Sequence, residues 1–531
     1  MAVNVSEVRL LSVPLQSDYK NTAYFTSASA QASYFAGKAK LSTTNVSYIK
    51  DNVFTYPADY DDLQEVNYVM YKNTAYTNKW FYAFITDKER LNDGATRVHI
   101  KTDSIQTYLF DYEAGFCFVE REHVTDDTAG AHTIPEGLET GEYICDGKVE
   151  NSDLSANSIV VGATLDLNDY KFGNASDWNL TKEYKPMYGD TYGGLYSGLT
   201  YIVMTPAKLK ETLKNVAYEG QEDAIHTIFM APGNFLDLGT AGEYGTPLAS
   251  GSLIVKPWSC ATKPTSINGY TPKNKKLLTS PYCYLMVDNG GGTAVTYHYE
   301  KFQNDNIEFQ VNGTVTPGMS IRAIPKAYNG ISGLNHAEGI NLAKYAQCSW
   351  TTDAFTAWFA KNGVSTVTSI GAGAIALKAA GAGATAGAAG GVPGMAVGAA
   401  VAGAVAIIGG LSQVTQHAEQ PPQLSGNTNG GDVATASQQV TFTAYKMAIK
   451  KEYAQIIDNF FTMYGYKVNS FKVPNKNHRQ YFWYTKTIDA VITGDIPQED
   501  LQTIKNCYDK GITFWKNPDN IGMTVTSNAI V

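Results

Sequence analysis

Apolar and polar positions alternate in short runs along most of this chain, and the runs break at Gly, Pro, Asn and Asp. An alternation of period two, bounded by turn residues, predicts strands. In the first block, residues 1–140, it predicts Val8–Leu11, Val66–Tyr71, Trp80–Ile85 and Arg97–Lys101. Asp103 stands where it would cap a short helix through Tyr108, with Ile105 and Tyr108 on one side. The block reads as α+β.

The middle block, residues 141–335, is looser and richer in Gly, Asn, Asp and Pro. Its predicted strands are Ile159–Ala163, Tyr201–Met204, Tyr282–Val287, Thr296–Lys301 and Ile307–Val311. Pro206 opens a helix through Val216, with Leu209 and Leu213 four apart on one face. Two longer helices are expected on either side of an unusual segment. One runs from Ile340 to Lys361, within a connector at 336–362, and carries Trp350, Phe355, Trp358 and Phe359. The other runs from Ala444 to Tyr464, where Ile449, Tyr453, Ile456, Phe460 and Tyr464 follow the spacing of one helix face, with Lys446, Lys450 and Lys451 elsewhere. The last block, 441–531, returns to α+β. Pro497, Leu501, Ile504, Tyr508 and Gly511 mark a short helix, followed by a strand at Ile512–Trp515.

Between the two long helices lies the segment 363–440. From Ala379 to Ala418 it holds no Asp, Glu, Lys or Arg. Within it Ala386–Leu411 is a run of 26 residues built only of Gly, Ala, Val, Ile, Leu, Met and one Pro. Runs above about 18 apolar residues are long enough to cross a hydrocarbon core, and this one would extend about 39 Å as a helix. Gly and Ala fill 28 of the 40 positions from Gly371 to Gly410. Each Gly costs a helix about 1 kcal/mol relative to Ala, so the segment is a poor helix in water. In lipid, where unpaired amides are costly, helix becomes the favourable form. Small residues recur every fourth place at Gly390, Gly394, Gly398, Ala402, Ala406 and Gly410, a ridge that lets helices approach closely.

The cluster Gly390-Gly391-Val392-Pro393-Gly394 favours a turn, which predicts a hairpin. Its first limb presents Val364, Val367, Ile370, Ile375 and Leu377, with Lys378 as its one charge. Val392 and Pro393 stand at the tip. The second limb presents Met395, Val397, Val401, Val405, Ile407, Ile408 and Leu411. Residues 420–439, polar and rich in Pro, Gly and Asn, suit a solvated return strap. Two other readings stay open: an inert low-complexity loop, and a buried core element.

Composition narrows the function. Apolar residues make up 44% of the 531, enough for sizeable cores, and a chain this long calls for two or three domains. Charged residues are only 17%, and there are 35 tyrosines, as in a β-rich chain with extended contact surfaces. A net charge of −9 opposes general nucleic-acid binding, but an acidic wall suits a conduit that must not grip phosphates. No signal peptide is expected, since Met1–Leu11 includes Glu7 and Arg9 and lacks an apolar stretch. Cys117, Cys145, Cys260, Cys283, Cys348 and Cys507 form no C-x-x-C pair and read as separate buried thiols.

The eight histidines show no metal-binding spacing, and neither G-x-S-x-G nor a phosphate-binding loop occurs. Gly371-Ala372-Gly373 lacks the preceding strand of a dinucleotide fold. The pair Asp126-Asp127 could serve glycoside hydrolysis, but as sequence neighbours in a polar loop the two read as solvated acids. No enzyme, cofactor or metal is implied.

Several stretches carry a resemblance. They are Asp18-Tyr19-Lys20-Asn21-Thr22 with Phe25-Thr26-Ser27, Asn78-Lys79-Trp80-Phe81-Tyr82-Ala83-Phe84, Leu109-Phe110-Asp111, Arg121-Glu122-His123-Val124 and Glu136-Gly137-Leu138. After the apolar segment come Pro421-Pro422-Gln423-Leu424, Tyr464-Gly465-Tyr466-Lys467-Val468-Asn469, Gly494-Asp495-Ile496, Gly511-Ile512-Thr513 and Asp519-Asn520-Ile521-Gly522. In this order they resemble the tail-knob, or distal tail-tube, family of phi-twenty-nine-like short-tailed phages, over about the first 140 and last 110 residues.

The resemblance implies a β-rich α+β, multi-domain subunit of a hexameric tube with a long Gly/Ala-rich apolar loop. Residues 1–140 and 441–531 would form the tube domain, 141–335 a β-rich knob, 336–362 a helical connector, and 363–440 the membrane-active loop and return strap. It further implies a virion protein of the distal tail, in contact with the upper tail tube and tail tip. Phage DNA would pass through it without sequence-specific binding. The apolar loops would plug the channel, then form a pore in the host cytoplasmic membrane during genome ejection. The alternatives are a tail protein that binds a receptor or cell-wall glycan without membrane activity and a cell-wall hydrolase, the latter disfavoured by the missing catalytic motif.

Overall fold

A computed structural model describes residues 6–46, 49, 52–73, 79–154, 157–168, 189–192, 195–218, 221–250, 255–289, 294–313, 321–330, 340–341, 347–349, 441–523 and 527–531. The described residues are strand-rich and fall into two compact units. The first comprises Met1–Glu142, Ser266–Tyr282 and Ile449–Val531; the second comprises Tyr143–Thr265 and Cys283–Ala448.

The first unit is built on a six-stranded antiparallel sheet. Its spatial order is Ala39–Val46, Ser6–Leu11, Tyr68–Asn73, Phe81–Asn92, Ala95–Thr102 and Val53–Tyr56. This sheet is apolar on both faces. Val8, Leu10, Val69, Ala83, Val98 and Ile100 point into one core, closed by Phe54, Tyr56 and Leu63. Leu11, Tyr68, Met70, Tyr82 and Phe84 point into another, which also receives Phe35, Ile105, Ile504, Tyr508, Ile512 and Phe514. The two-sided burial explains why Tyr68, Val69 and Met70 are consecutive and all fully enclosed. A second sheet runs Asn21–Ala23, Ile512–Trp515, Phe482–Ile488, Cys117–Glu122 and Tyr466–Lys472, so both chain ends share it.

The second unit holds three larger sheets and a two-stranded one. Tyr143–Glu150, Thr443–Ile449, Cys283–Asp288 and Ala294–Tyr297 form the first. Thr246–Pro247, Thr200–Met204, Asn157–Ala163, Ile225–Pro232 and Gln347–Ser349 form the second. Val255–Thr262, Asn306–Gly313, Ile321–Pro325 and Ile340–Asn341 form the third. The helix Pro206–Tyr218 buries Leu209 and Leu213, the pair its sequence spacing picks out.

Other local signals also hold. Asp103 caps Ser104–Thr107 and accepts from the Gln106 amide at 3.0 Å. The helix Gln498–Lys510 buries Ile504 and Tyr508 and ends at Gly511 in the left-handed region, before the strand Ile512–Trp515.

Five expectations change. Ala444–Ile449 is not helix but part of the strand Thr443–Ile449, which pairs along Cys283–Asp288. Tertiary pairing overrides its local pattern, and extended Lys450 starts the helix Lys451–Tyr464 anew. Because Ile449 belongs to the strand, counting from it sets the helix phase wrong. The buried residues are Ala454, Ile457, Asp458, Phe461 and Thr462, whereas Ile456 is 65% exposed.

Within the expected helix Ile340–Lys361, Ile340–Asn341 and Gln347–Ser349 are short strands that join the Ile321–Pro325 and Ile225–Pro232 edges; 350–361 lie outside the described residues. The stretch Thr296–Lys301 extends only to Tyr297 and then turns through Tyr299–Lys301. Residues 266–282 belong with the chain termini rather than the middle block. Cys117, Cys260, Cys283 and Cys507 are buried free thiols, but Cys145 is exposed.

Phe35 is fully enclosed, with ring centroids 5.4 Å from Tyr68 and 4.7 Å from Tyr82. Phe35→Ala is expected to destabilise the protein by about 3–5 kcal/mol, read as a lower midpoint in urea unfolding. An unchanged midpoint rejects the assignment of this ring to the core.

Candidate functional site: the stem of the apolar segment and a buried polar core

Every residue assigned to the membrane-active loop, from Val364 to Leu411, lies outside the described residues, as do residues 350–440 altogether. What is described is the stem. The chain leaves it on the edge strand Gln347–Ser349, where Thr227, Ile228 and Phe229 pair with Ser349, Cys348 and Gln347. It returns at Thr441, whose hydroxyl donates to the Asn151 carbonyl at 3.0 Å. The Asn151 amide donates in turn to the Phe442 carbonyl at 2.9 Å. The Phe442 ring is fully buried and stacks on Trp258 at 6.3 Å. Thr443–Ile449 then enters the interior of a four-stranded sheet. Both ends of the segment are thus tied into sheets of the second unit, not into helices as the sequence suggests. Among the described residues, no helix is long and apolar enough to cross a membrane.

The first unit gathers a second constellation, a buried polar core. The Asp458 carboxylate is fully buried. It accepts from the Lys273 amide at 2.8 Å, the Asn274 amide at 3.0 Å, Asn274 Nδ2 at 2.7 Å and the Tyr270 hydroxyl. Glu136 is enclosed between Arg121 and Lys276 and also accepts from the Lys467 amide at 2.9 Å. Arg121 donates to the Gly465 carbonyl at 2.7 Å and lies 4.9 Å from the Phe460 ring centroid. Gly465 has φ of +66°, and a Cβ there would strike the Glu122 carbonyl, so only glycine fits. Buried Glu122 accepts from the Asn475 amide at 3.0 Å and pairs with Lys472.

His123 closes this core. Its Nδ1 accepts from the Tyr484 amide at 2.7 Å, so Nε2 carries the proton and donates to the Thr462 carbonyl at 2.9 Å. Burial, helped by the positive field of Arg479 and Arg121, holds the imidazole down at about 3. Asp127 is pulled the other way. Burial raises it, against hydrogen bonds from the Tyr466 hydroxyl and the Lys275 amide. It is therefore not the solvated loop acid its sequence context suggests. Burial also lowers Lys276, against its pairing with Glu136.

A cavity of about 280 Å³ opens beside this core, lined among others by His123, Asp127, Asn274 and Arg479. His123 and Asp127 are both occupied by structural hydrogen bonds, so neither is placed to move a substrate proton. The arrangement fixes backbone segments of distant parts of the chain.

Several of the residues brought together here lie in the stretches in which the chain resembles a known family: Arg121, Glu122, His123, Glu136, Gly465, Tyr466 and Lys467. Other quoted residues make similar ties in the same unit. Asn21 accepts from Trp515 Nε1 at 2.8 Å, and Asp519 accepts from the Tyr34 hydroxyl at 2.8 Å and pairs with Lys38.

A family model for the C-terminal domain of the tail knob protein gp9 of Bacillus phage phi29 matches residues 255–529, slightly more than half of the chain. The chain belongs to the tail knob protein family. A second model, for the N-terminus of the caudoviral major tail protein, matches residues 4–113. The tail knob protein gp9 of Bacillus phage phi29 is 27% identical, over 99% of this chain and 98% of its own length. That of Bacillus phage B103 is 26% identical over the same shares. The solved tail knob protein gp12 of bacteriophage C1 shares the fold, with a TM-score of 0.68 at 15% identity, over 99% of this chain and 100% of its own.

Sequence reasoning missed Asp458, Asn274 and Lys276 as members of this tail knob core. Asp458 gives a signal once the helix phase is right, because a carboxylate then falls between apolar positions on the buried face. Asn274 and Lys276 sit in a polar stretch, Lys273–Lys276, that reads as surface loop.

The His123 shift makes a pH prediction. An imidazole held neutral by folding stabilises the protein fully above its unfolded value of about 6.5 and progressively less as pH falls toward about 3. Buried Asp103, raised to about 6 by burial, works oppositely, its penalty growing as pH rises from about 4 to 6. The His123 contribution is isolated by difference. The gap in unfolding free energy between the wild type and His123→Gln is expected to narrow by roughly 3 kcal/mol from pH 7 to pH 4. A gap independent of pH counts against a neutral buried His123.

Proposed function

We propose that this phage tail structural protein forms a hexameric distal tube whose apolar segments plug the channel in the virion and then open a pore in the host cytoplasmic membrane. The observation that carries this reading is the stem. The 91 residues 350–440, with the uncharged run Ala386–Leu411 inside them, start and finish on sheets of one folded unit. A segment tethered in this way can enter a bilayer only by going in and coming back. The turn cluster Gly390–Gly394 supplies the reversal.

The chemistry of the segment fits storage followed by insertion. Its Gly and Ala content leaves it a poor helix in water, and bundling several copies in a channel shields the Val, Ile and Met side chains. In a bilayer the amides are satisfied internally by helix formation, and the small-residue ridge allows close packing into a ring.

Oligomerisation has its own support in the first unit. Phe116 and Phe471 are 72% and 75% exposed, and Phe118 contacts Phe471 at 5.7 Å between ring centroids. With Ile488, the register partner of Phe118, they form an apolar surface that another subunit or tail protein would cover. The upper tail tube and tail tip are the neighbours in this reading. The net charge of −9 suits passage of DNA without retention. The role is structural, with no reaction assigned.

The wild-type protein is expected to release dye from phospholipid vesicles, and deletion of residues 364–411 should abolish release while leaving six-fold rings in negative-stain images. Vesicles that stay intact with the wild type at both acidic and neutral pH, or that leak equally with the deletion, overturn the pore. Rings of another symmetry overturn the hexamer.

A further inference from the structure

We propose that Asp87, Glu89 and His99 form a binding site for a divalent metal ion of the zinc class. The three lie on the hairpin formed by Phe81–Asn92 and Ala95–Thr102. A bulge between Ile85 and Asp87 resets the alternation of the first strand, so that Asp87 falls opposite His99 and Glu89 opposite Arg97. Thr96, Val98 and Ile100 fill the buried face of the second strand. His99 and the two carboxylates therefore share the other face, and one donor atom from each lies within 4.8 Å of the other two.

The imidazole is the observation that singles this group out from ordinary surface acids. His99 Nε2 is itself shielded from solvent and makes no hydrogen bond, although the His99 side chain as a whole is about a third exposed. It lies 3.3 Å from Glu89 Oε1, but not aligned for one. A cation placed between the ring nitrogen and the carboxylate would give both a partner. The separation fits as well: two ligands held about 2.0–2.2 Å from a tetrahedral ion stand roughly 3.3–3.5 Å apart.

The carboxylates are already oriented. Glu89 Oε2 accepts from Arg97 at 3.0 Å, which leaves Oε1 turned to His99. Asp87 Oδ1 accepts from the Lys88 amide at 2.8 Å, which leaves Oδ2. Such outer hydrogen bonds hold first ligands in place. One nitrogen and two carboxylate oxygens suit zinc or manganese better than calcium or magnesium, which favour all-oxygen sets. Two carboxylates beside one guanidinium leave a net negative charge for a divalent ion to neutralise.

The ion would join the two strands just past the bulge. Strand Tyr68–Asn73 pairs with this hairpin only as far as Phe84, so the clasp acts where that support ends. It would stiffen the arm that runs on to the turn at Asp93-Gly94.

The test uses the full-length protein. Zinc chloride is titrated calorimetrically, cobalt chloride is followed by visible absorption, and hydrogen exchange is measured with and without zinc. One ion per chain is expected, with slowed exchange over residues 87–99. Both His99→Ala and Glu89→Gln should weaken binding by roughly tenfold or more. Glu89→Gln keeps the side-chain shape on an exposed strand, so it reports even where His99→Ala misfolds. Absence of binding at submillimolar zinc, or binding that survives Glu89→Gln, overturns the site.

Discussion

Two buried carboxylates hold together stretches of chain that lie far apart in sequence. Asp458 accepts four hydrogen bonds from Tyr270, Lys273 and Asn274, and Glu136 joins Arg121, Lys276 and the Lys467 amide. A carboxylate without partners in such a place would be prohibitive, and breaking a buried pair typically costs about 3–5 kcal/mol. The first unit is therefore specified by these groups as much as by its apolar cores. They dock the 266–282 stretch together with its buried side chains Ile267, Leu277 and Tyr282, the last of which packs on Phe461. His123, Gly465 and Glu122 extend the same logic, each matched to a backbone group only one geometry can supply.

The second unit solves a different problem. It holds the strands on either side of residues 350–440, which contain the uncharged Gly/Ala tract. An edge strand at Gln347–Ser349 and an interior strand at Thr443–Ile449 do this with backbone hydrogen bonds, and Phe442 against Trp258 pins the return point. A stem made of sheet rather than helix resists pulling across its whole ladder.

Much of the fold was legible where structure is local. The Asp103 cap, the Leu209 and Leu213 pair, the helix from Gln498 to its Gly511 stop, and most strands followed from spacing and turn chemistry. The errors have one cause. The Ala444–Tyr464 pattern fits a helix until Thr443–Ile449 finds strand partners, and the shift of start point then rotates the helix face, exposing Ile456 and burying Asp458. Asp127 fails similarly: its neighbours in sequence are polar, but Tyr466 and Lys275, far along the chain, enclose it. The polar core was visible only as family resemblance at Arg121–His123, Glu136 and Gly465–Lys467, with no sign of why those residues are needed.

The sequence by itself determined the uncharged Gly/Ala tract, its turn cluster and the absence of any catalytic motif, because exclusion of charge and turn preference are properties of contiguous residues. Tertiary structure alone decided which polar residues are buried together, which face of Lys451–Tyr464 turns inward, and that strands anchor the tract. Those outcomes depend on partners brought from hundreds of residues away, and a hydrogen bond or a strand ladder has no meaning until both sides are present.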